Sequence, residues 1–131
     1  MAGSREGRRY EGFVPGRHLI EAYGDGGFRF ADMSHRGSIL ALPSGISAWP
    51  VTEPGGLTEE AFAPILAEAG EIGILLVGTG AAMAPLSAAL RWRLQDAGIG
   101  IDVMATGPAV RTYNILLAEN RKVAAALIAV A

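Results

Sequence analysis

The chain has no cysteine. That excludes disulfides, thiol catalysis and thiolate metal sites together, and leaves the redox compartment open. Histidine is scarce as well, with only His18 and His35. No hydrophobic run reaches the roughly 18 residues a membrane-spanning helix needs. The longest, from Val123 to Ala131, is about half that and follows charged residues directly, so no membrane span is expected. Nor is there an excess of one charge: 11 Lys and Arg stand against 13 Asp and Glu, for a formal charge of -2. Such a balance gives no global attraction to nucleic acid, which is not expected as a partner.

What is present suits one ordinary domain: 131 residues, half of them hydrophobic, enough for a single buried core. The first dozen residues, MAGSREGRRYEG, are basic and glycine-rich without an apolar centre, so they do not form a secretory signal. We expect a tail over residues 1–16 and a single domain over 17–131, cytoplasmic if the source is bacterial. Deleting the first dozen residues is expected to leave stability nearly unchanged.

The N-terminal half reads as strands and turns. HLIEAY, GDGG and FRFAD form a hairpin pattern, since Asp and Gly supply the positive φ that tight turns require. GSILAL and ISAWPV follow, split by Pro43, Ser44 and Gly45, as a further turn or bend within an extended ribbon. From residue 57 helix and strand alternate. Phe62, Ile65, Leu66 and Ala69 lie on one helical face ending at Gly70, with regular helix starting close to Pro64. A strand over Ile72 to Val77 is apolar on both faces, as in a central strand. Leu86, Leu90, Leu94 and Ala97 make a second helical stripe stopped by Gly98. IGIDVMA, TGPAVRTYNILLAEN and KVAAALIAV then give strand, helix and strand. This order implies crossover connections and a parallel or mixed sheet: an α/β fold with an added β-ribbon.

The stretch ILLVGTGAAMAPL invites comparison with a nucleotide-binding turn. Gly78 and Gly80 fit the first two positions of a dinucleotide fingerprint, but Met83 occupies the third, and no acidic residue ends the next strand to hold a ribose. A P-loop is excluded because no Gly-Lys-Ser/Thr follows. No cofactor is expected. Near the second strand exit, Thr106 is expected to cap its helix, with Gly107 in the first turn and Val110, Tyr113 and Leu117 facing inward. Arg111 would either hold an anion near that helix end or stand as a solvated charge, and Asn114, poor in mid-helix, calls for a specific hydrogen bond, structural or to a ligand. Gly78, Thr79, Gly80, Thr106, Gly107, Arg111 and Asn114 are therefore the candidates for binding a ligand or partner. In DMSHRG, nearness of Asp32, Ser34 and His35 does not make a catalytic triad, and a polar loop is expected. Trp92 points away from the Leu86, Leu90 and Leu94 stripe; cover by the rest of the fold is expected.

LLVGTG, GIGIDVMATGPAVRTYNILLAENRKVAAALI and SILALPSGISAW closely resemble the small Mth-type domain family over roughly residues 17 to 130. Thr106, Ala109, Thr112, Tyr113 and Asn114 carry the most specific run, supported by Gly78 and Gly80. The resemblance implies an α/β sandwich with a mixed central sheet and an accessory N-terminal β-ribbon. It implies no settled enzyme activity. Members include a mitochondrial assembly factor of NADH:ubiquinone oxidoreductase, so the implied role is binding or assembly of a protein partner, with self-association left open. A small-molecule or anion-binding protein, or an enzyme, using the Gly78 to Gly80 turn and the Thr106 helix end is the alternative. Many relatives carry an acidic residue between Met and Thr where this chain has Ala105.

Overall fold

Asp25 and Gly26 close the first hairpin with φ of 52° and 79°, the left-handed pair that a two-residue turn demands. In the computed structural model, which describes residues 12–131, that hairpin joins Ile20–Gly24 (β2) to Gly27–Phe30 (β3). The strands in chain order are Phe13–Pro15 (β1), β2, β3, Met33–Arg36 (β4), Ser38–Leu42 (β5), Gly45–Trp49 (β6), Ile74–Gly78 (β7), Gly100–Met104 (β8) and Val123–Leu127 (β9). Among the described residues three α-helices accompany them: Ala63–Leu66 (α1), Ala88–Asp96 (α2) and Thr106–Ala118 (α3).

Six strands form the central sheet in the order β1-β6-β5-β9-β7-β8, and β2-β3-β4 form a separate antiparallel ribbon. β9 pairs antiparallel with β5 and parallel with β7, so the sheet is mixed. The expected α/β architecture is present, with two reassignments. β5 and β6 belong to the central sheet rather than to the ribbon, because all five β5 residues are buried and need cover on both faces. The ribbon's third strand is β4, where a polar loop was expected. Its entry turn uses Ala31 and Asp32 at φ 51° and 59°, a left-handed pair without glycine and therefore without the usual signal.

Alternation along β9 divides the core in two. Ala124 and Ala126 face a cluster with Leu75, Val77, Trp49, Phe62, Leu90 and Leu94. Ala125 and Leu127 face the opposite cluster with Phe28, Phe30, Ala109, Val110 and Tyr113, beneath α3 and the ribbon. On the first side Trp49 and Phe62 meet edge to face at 5.7 Å, and the indole N–H donates to the Ala61 carbonyl at 2.9 Å.

Three expectations shift in detail. The stripe from Phe62 to Ala69 yields only one turn, α1, with Pro64 in its first turn, and the chain leaves α-helix at Leu66 rather than at Gly70. Phe62 and Ile65 nevertheless take the buried positions assigned to them. Leu86 is buried but precedes α2, which Ser87 caps by accepting the Leu90 N–H at 3.1 Å. Trp92 is not covered: it is 64% exposed, directly opposite buried Leu90 and Leu94.

The expected tail boundary at residue 16 also moves. Val14 lies opposite Ile46 in register, and the Ala48 N–H donates to the Gly12 carbonyl at 2.8 Å, so β1 completes one edge of the sheet. Pro15 is tolerated there because an edge strand can lack a donor. The expectation for residues 1–11 lies outside the described residues. Among the described residues, no helix is long and apolar enough to cross a membrane.

Candidate functional site

Parallel pairing of β7 with both β8 and β9 brings their three carboxyl ends together, the usual ligand position in α/β sheets. Two threonines occupy the junction. Thr106 is fully buried; its Oγ1 accepts the Gly80 N–H at 2.9 Å and donates to the Ile128 carbonyl at 2.7 Å. Its own N–H donates to the Gly80 carbonyl at 2.8 Å, and the Ile128 N–H to the Gly78 carbonyl at 2.9 Å. Thr79 repeats the pattern one step away. Its N–H donates to the Met104 carbonyl at 2.9 Å, while its hydroxyl accepts the Ala84 N–H and donates to the Ala82 carbonyl, both at 2.9 Å.

Gly78, Thr79, Gly80 and Thr106 are thus brought together, but as a lock between strand exits. Gly78 allows that closeness, since a Cβ there would lie 2.9 Å from both Leu127 Cδ2 and Thr106 Cα. Gly80 has φ 106° and faces open space. Residues 79–87 form a long irregular connection before α2 begins, so Met83 is not in a first helical turn as a dinucleotide fingerprint would place its third glycine. A groove of about 420 Å³ remains outside the lock, lined by Thr79, Gly80, Met83, Glu53 and the segment from Ile128 to Ala131.

Thr106 does not cap α3. The cap position is Ala105, at φ −65° and ψ 158°, with no side-chain hydrogen bond, and Thr106 is the first helical residue with its hydroxyl committed elsewhere. An oxygen-bearing side chain at 105 could accept a first-turn N–H and favour the positive end of the helix dipole. Ala105→Asp is expected to stabilise the fold by about 1 kcal/mol. Urea unfolding checks this; a lower midpoint would mean that the aspartate does not reach the helix amides.

The other candidates separate. Gly107 is buried under Tyr23: a Cβ at 107 would meet the phenolic oxygen, so glycine lets that ring lie over the start of α3, and a larger residue would push the ring aside. Asn114 clamps the same ribbon, accepting the Ile20 N–H at 2.9 Å and donating to the Ile20 carbonyl at 2.8 Å. The hydrogen bond demanded at Asn114 is therefore structural. Tyr113 donates to the His18 carbonyl at 3.3 Å. Burial pushes its phenol up to about 12, against a lowering pull from Arg17, so it stays protonated near neutrality. Arg111 is exposed and does not line the groove; among the described residues it has no hydrogen bond or ion pair.

Ser34 and His35 point to opposite faces of β4, His35 inward and Ser34 outward, so they do not form a nucleophile–base pair. Among the described residues, no three His, Asp or Glu side chains gather as a metal-holding group. A shallow trough of about 450 Å³ on the outer face of the ribbon, with Arg29, Ser34 and Arg36, was missed in the sequence because β4 was read as a loop. Read as a strand, MSHR places Ser34 and Arg36 on one face.

The profile of a family described as "Protein of unknown function (DUF498/DUF598)" matches residues 20–128. An uncharacterized protein of Rhodobacter capsulatus is 38% identical over 120 residues, covering 92% of this chain and 90% of that protein. NADH dehydrogenase [ubiquinone] 1 alpha subcomplex assembly factor 3 of Danio rerio is 32% identical over 84% of this chain and 63% of its own length. The human assembly factor of that name is 30% identical over 83% of this chain. This chain therefore spans about three fifths of those assembly factors: 63% and 59% of their lengths. Among solved structures, one described as an outer membrane protein from Bartonella henselae superposes with a TM-score of 0.86 at 53% identity, covering 89% of this chain and 98% of that one. A Bordetella pertussis protein described as a Mth938-like domain gives 0.76 at 29% identity, covering 86% and 85%.

Proposed function

This chain belongs to the DUF498/DUF598 family, and from that premise we propose that it is a non-catalytic, protein-binding domain that assists assembly of respiratory NADH:ubiquinone oxidoreductase. The observation that carries the proposal is the similarity to proteins named as assembly factors of that enzyme, which runs through 84% of this chain in the Danio rerio case. Two surfaces suit a protein partner. Trp92 stands 64% exposed on α2, and large aromatic side chains are the usual anchors of protein interfaces. Arg111 lies on the outer face of α3 one turn before Ile115, which is 58% exposed, and offers a charge for an acidic loop of a partner. The alternative of a small anion at the Gly78 to Gly80 turn finds the N–H groups of Thr79, Gly80 and Thr106 already bonded within the fold.

Deleting the gene in its native organism tests the proposal. Assembled NADH:ubiquinone oxidoreductase on a native gel is expected to fall and to return with the wild-type gene. Trp92→Ser is expected to fold with unchanged stability yet fail to restore the complex, because it removes an exposed anchor and no core contact. Normal levels of the complex in the deletion strain would refute the assembly role; full rescue by Trp92→Ser would refute only the assignment of α2.

A further inference from the structure

The outer face of the β2-β3-β4 ribbon plays no part in the assembly proposal, and it gathers two arginines and a serine with Asp25 at the rim. Cross-strand register places Ala22, Arg29 and Ser34 in one row and Gly24, Gly27 and Arg36 in the next. Members of a row share a face, and alternation along each strand puts both rows on the same face. Alanine and two glycines keep the floor low between the two arginines, and the result is the trough of about 450 Å³. Arg29 and Arg36 are diagonal neighbours across β3 and β4, roughly 7–8 Å apart at the backbone, a span that two long side chains close easily.

The donors in the trough are not all consumed. Arg29 places its Nε 3.4 Å from Glu21, and its Nη1 donates to Ser34 Oγ at 3.2 Å. Because Ser34 Oγ accepts that bond, its own proton remains available to a ligand. Arg36 has no hydrogen bond or ion pair among the described residues. Glu21 does not line the trough and is held by the Asp32 N–H at 3.2 Å, whereas Asp25, at the hairpin tip, lines its rim. Arg36 reaches toward the Gly26 turn and lines the same small concave floor as Ser34 and Arg29, so donors to spare stand along it.

We propose that this trough is a binding site for an oxyanion, a phosphate or carboxylate group, held by Arg36 with Arg29 and Ser34. Guanidinium groups suit both, since each presents paired oxygens to a planar fork of N–H donors. The two sources of such a group, a free phosphate compound and an acidic side chain of a polypeptide, share this chemistry and are separated by the test.

Amide NMR spectra of the full chain are titrated with inorganic phosphate in one arm and with a short Asp/Glu peptide in the other, at constant ionic strength. Saturable shifts confined to β2, β3 and β4 are expected in at least one arm, weakened about tenfold or more in Arg36→Ala and unchanged in Arg111→Ala. Saturation by phosphate assigns a phosphate compound, and saturation by the peptide alone assigns an acidic segment. Arg36 is exposed, so its alanine variant should fold, which the same spectra verify. No saturable shift in either arm, or equal binding by Arg36→Ala, would overturn the proposal.

Discussion

Thr106→Val will unfold at a markedly lower urea concentration and temperature than the wild type, although valine has nearly the shape of threonine. The hydroxyl is fully buried and is the acceptor for Gly80 N–H and the donor to the Ile128 carbonyl. Valine leaves both backbone groups without that partner, in a place water cannot reach cheaply. At about 1–3 kcal/mol for each of the two unsatisfied groups, the expected loss is about 2–6 kcal/mol. For a domain of this size that amounts to a fall in melting temperature on the order of 10 °C. Thr106→Ser keeps both hydrogen bonds and loses one methyl group, so its cost should be about 1 kcal/mol. Denaturant melts of the two variants decide the matter. Equal losses would mean that the methyl packing, and not the hydroxyl, holds the strand exits together.

The same residue shows where the sequence was legible and where it was not. Thr106 was recognisable as the start of a helix, because a short polar residue before Gly-Pro is a strong local signal. Its actual partners are 26 and 22 residues away in the chain, and no local pattern reports them. Asn114 stood out for the opposite reason. Its weak helix propensity signalled a specific bond, and the bond exists, but its partner Ile20 is 94 residues distant. The β7 and β9 strands were plain from continuous apolar runs, since burial on both faces leaves no room for polar residues. β4 was obscured because Ala31 and Asp32 adopt left-handed backbone without glycine, and the four residues between that turn and Gly37 include His, Arg and Ser. The exposure of Trp92 escaped the sequence because aromatic residues are mostly buried, a tendency that does not fix any one position.

Gly78 tests whether the glycine turn is built for packing or for a ligand. A phosphate-cradling glycine clears space on the side where the ligand lies. At Gly78 the missing Cβ would point inward, at Thr106 Cα and at Leu127 Cδ2, each 2.9 Å away. The leucine side chain can rotate aside, but Thr106 Cα is the backbone of α3, pinned by the hydrogen bonds of Thr106 itself. Gly78→Ala is therefore expected to cost about 1–3 kcal/mol, and Gly78→Val more, enough to leave much of the protein unfolded. Gly80 makes the contrasting case. Its φ of 106° disfavours other residues, but a Cβ there meets nothing, so Gly80→Ala carries only a backbone cost of about 1–2 kcal/mol. Thermal melts of the three variants should rank Gly80→Ala the least damaged and Gly78→Val the most. If Gly78→Ala proved as stable as the wild type, α3 would be free to shift away from β7, and the threonine lock would not be what fixes the strand exits. The expected ranking assigns Gly78 to the approach of α3 on the sheet, and leaves Gly80 as the glycine of the turn that faces the groove.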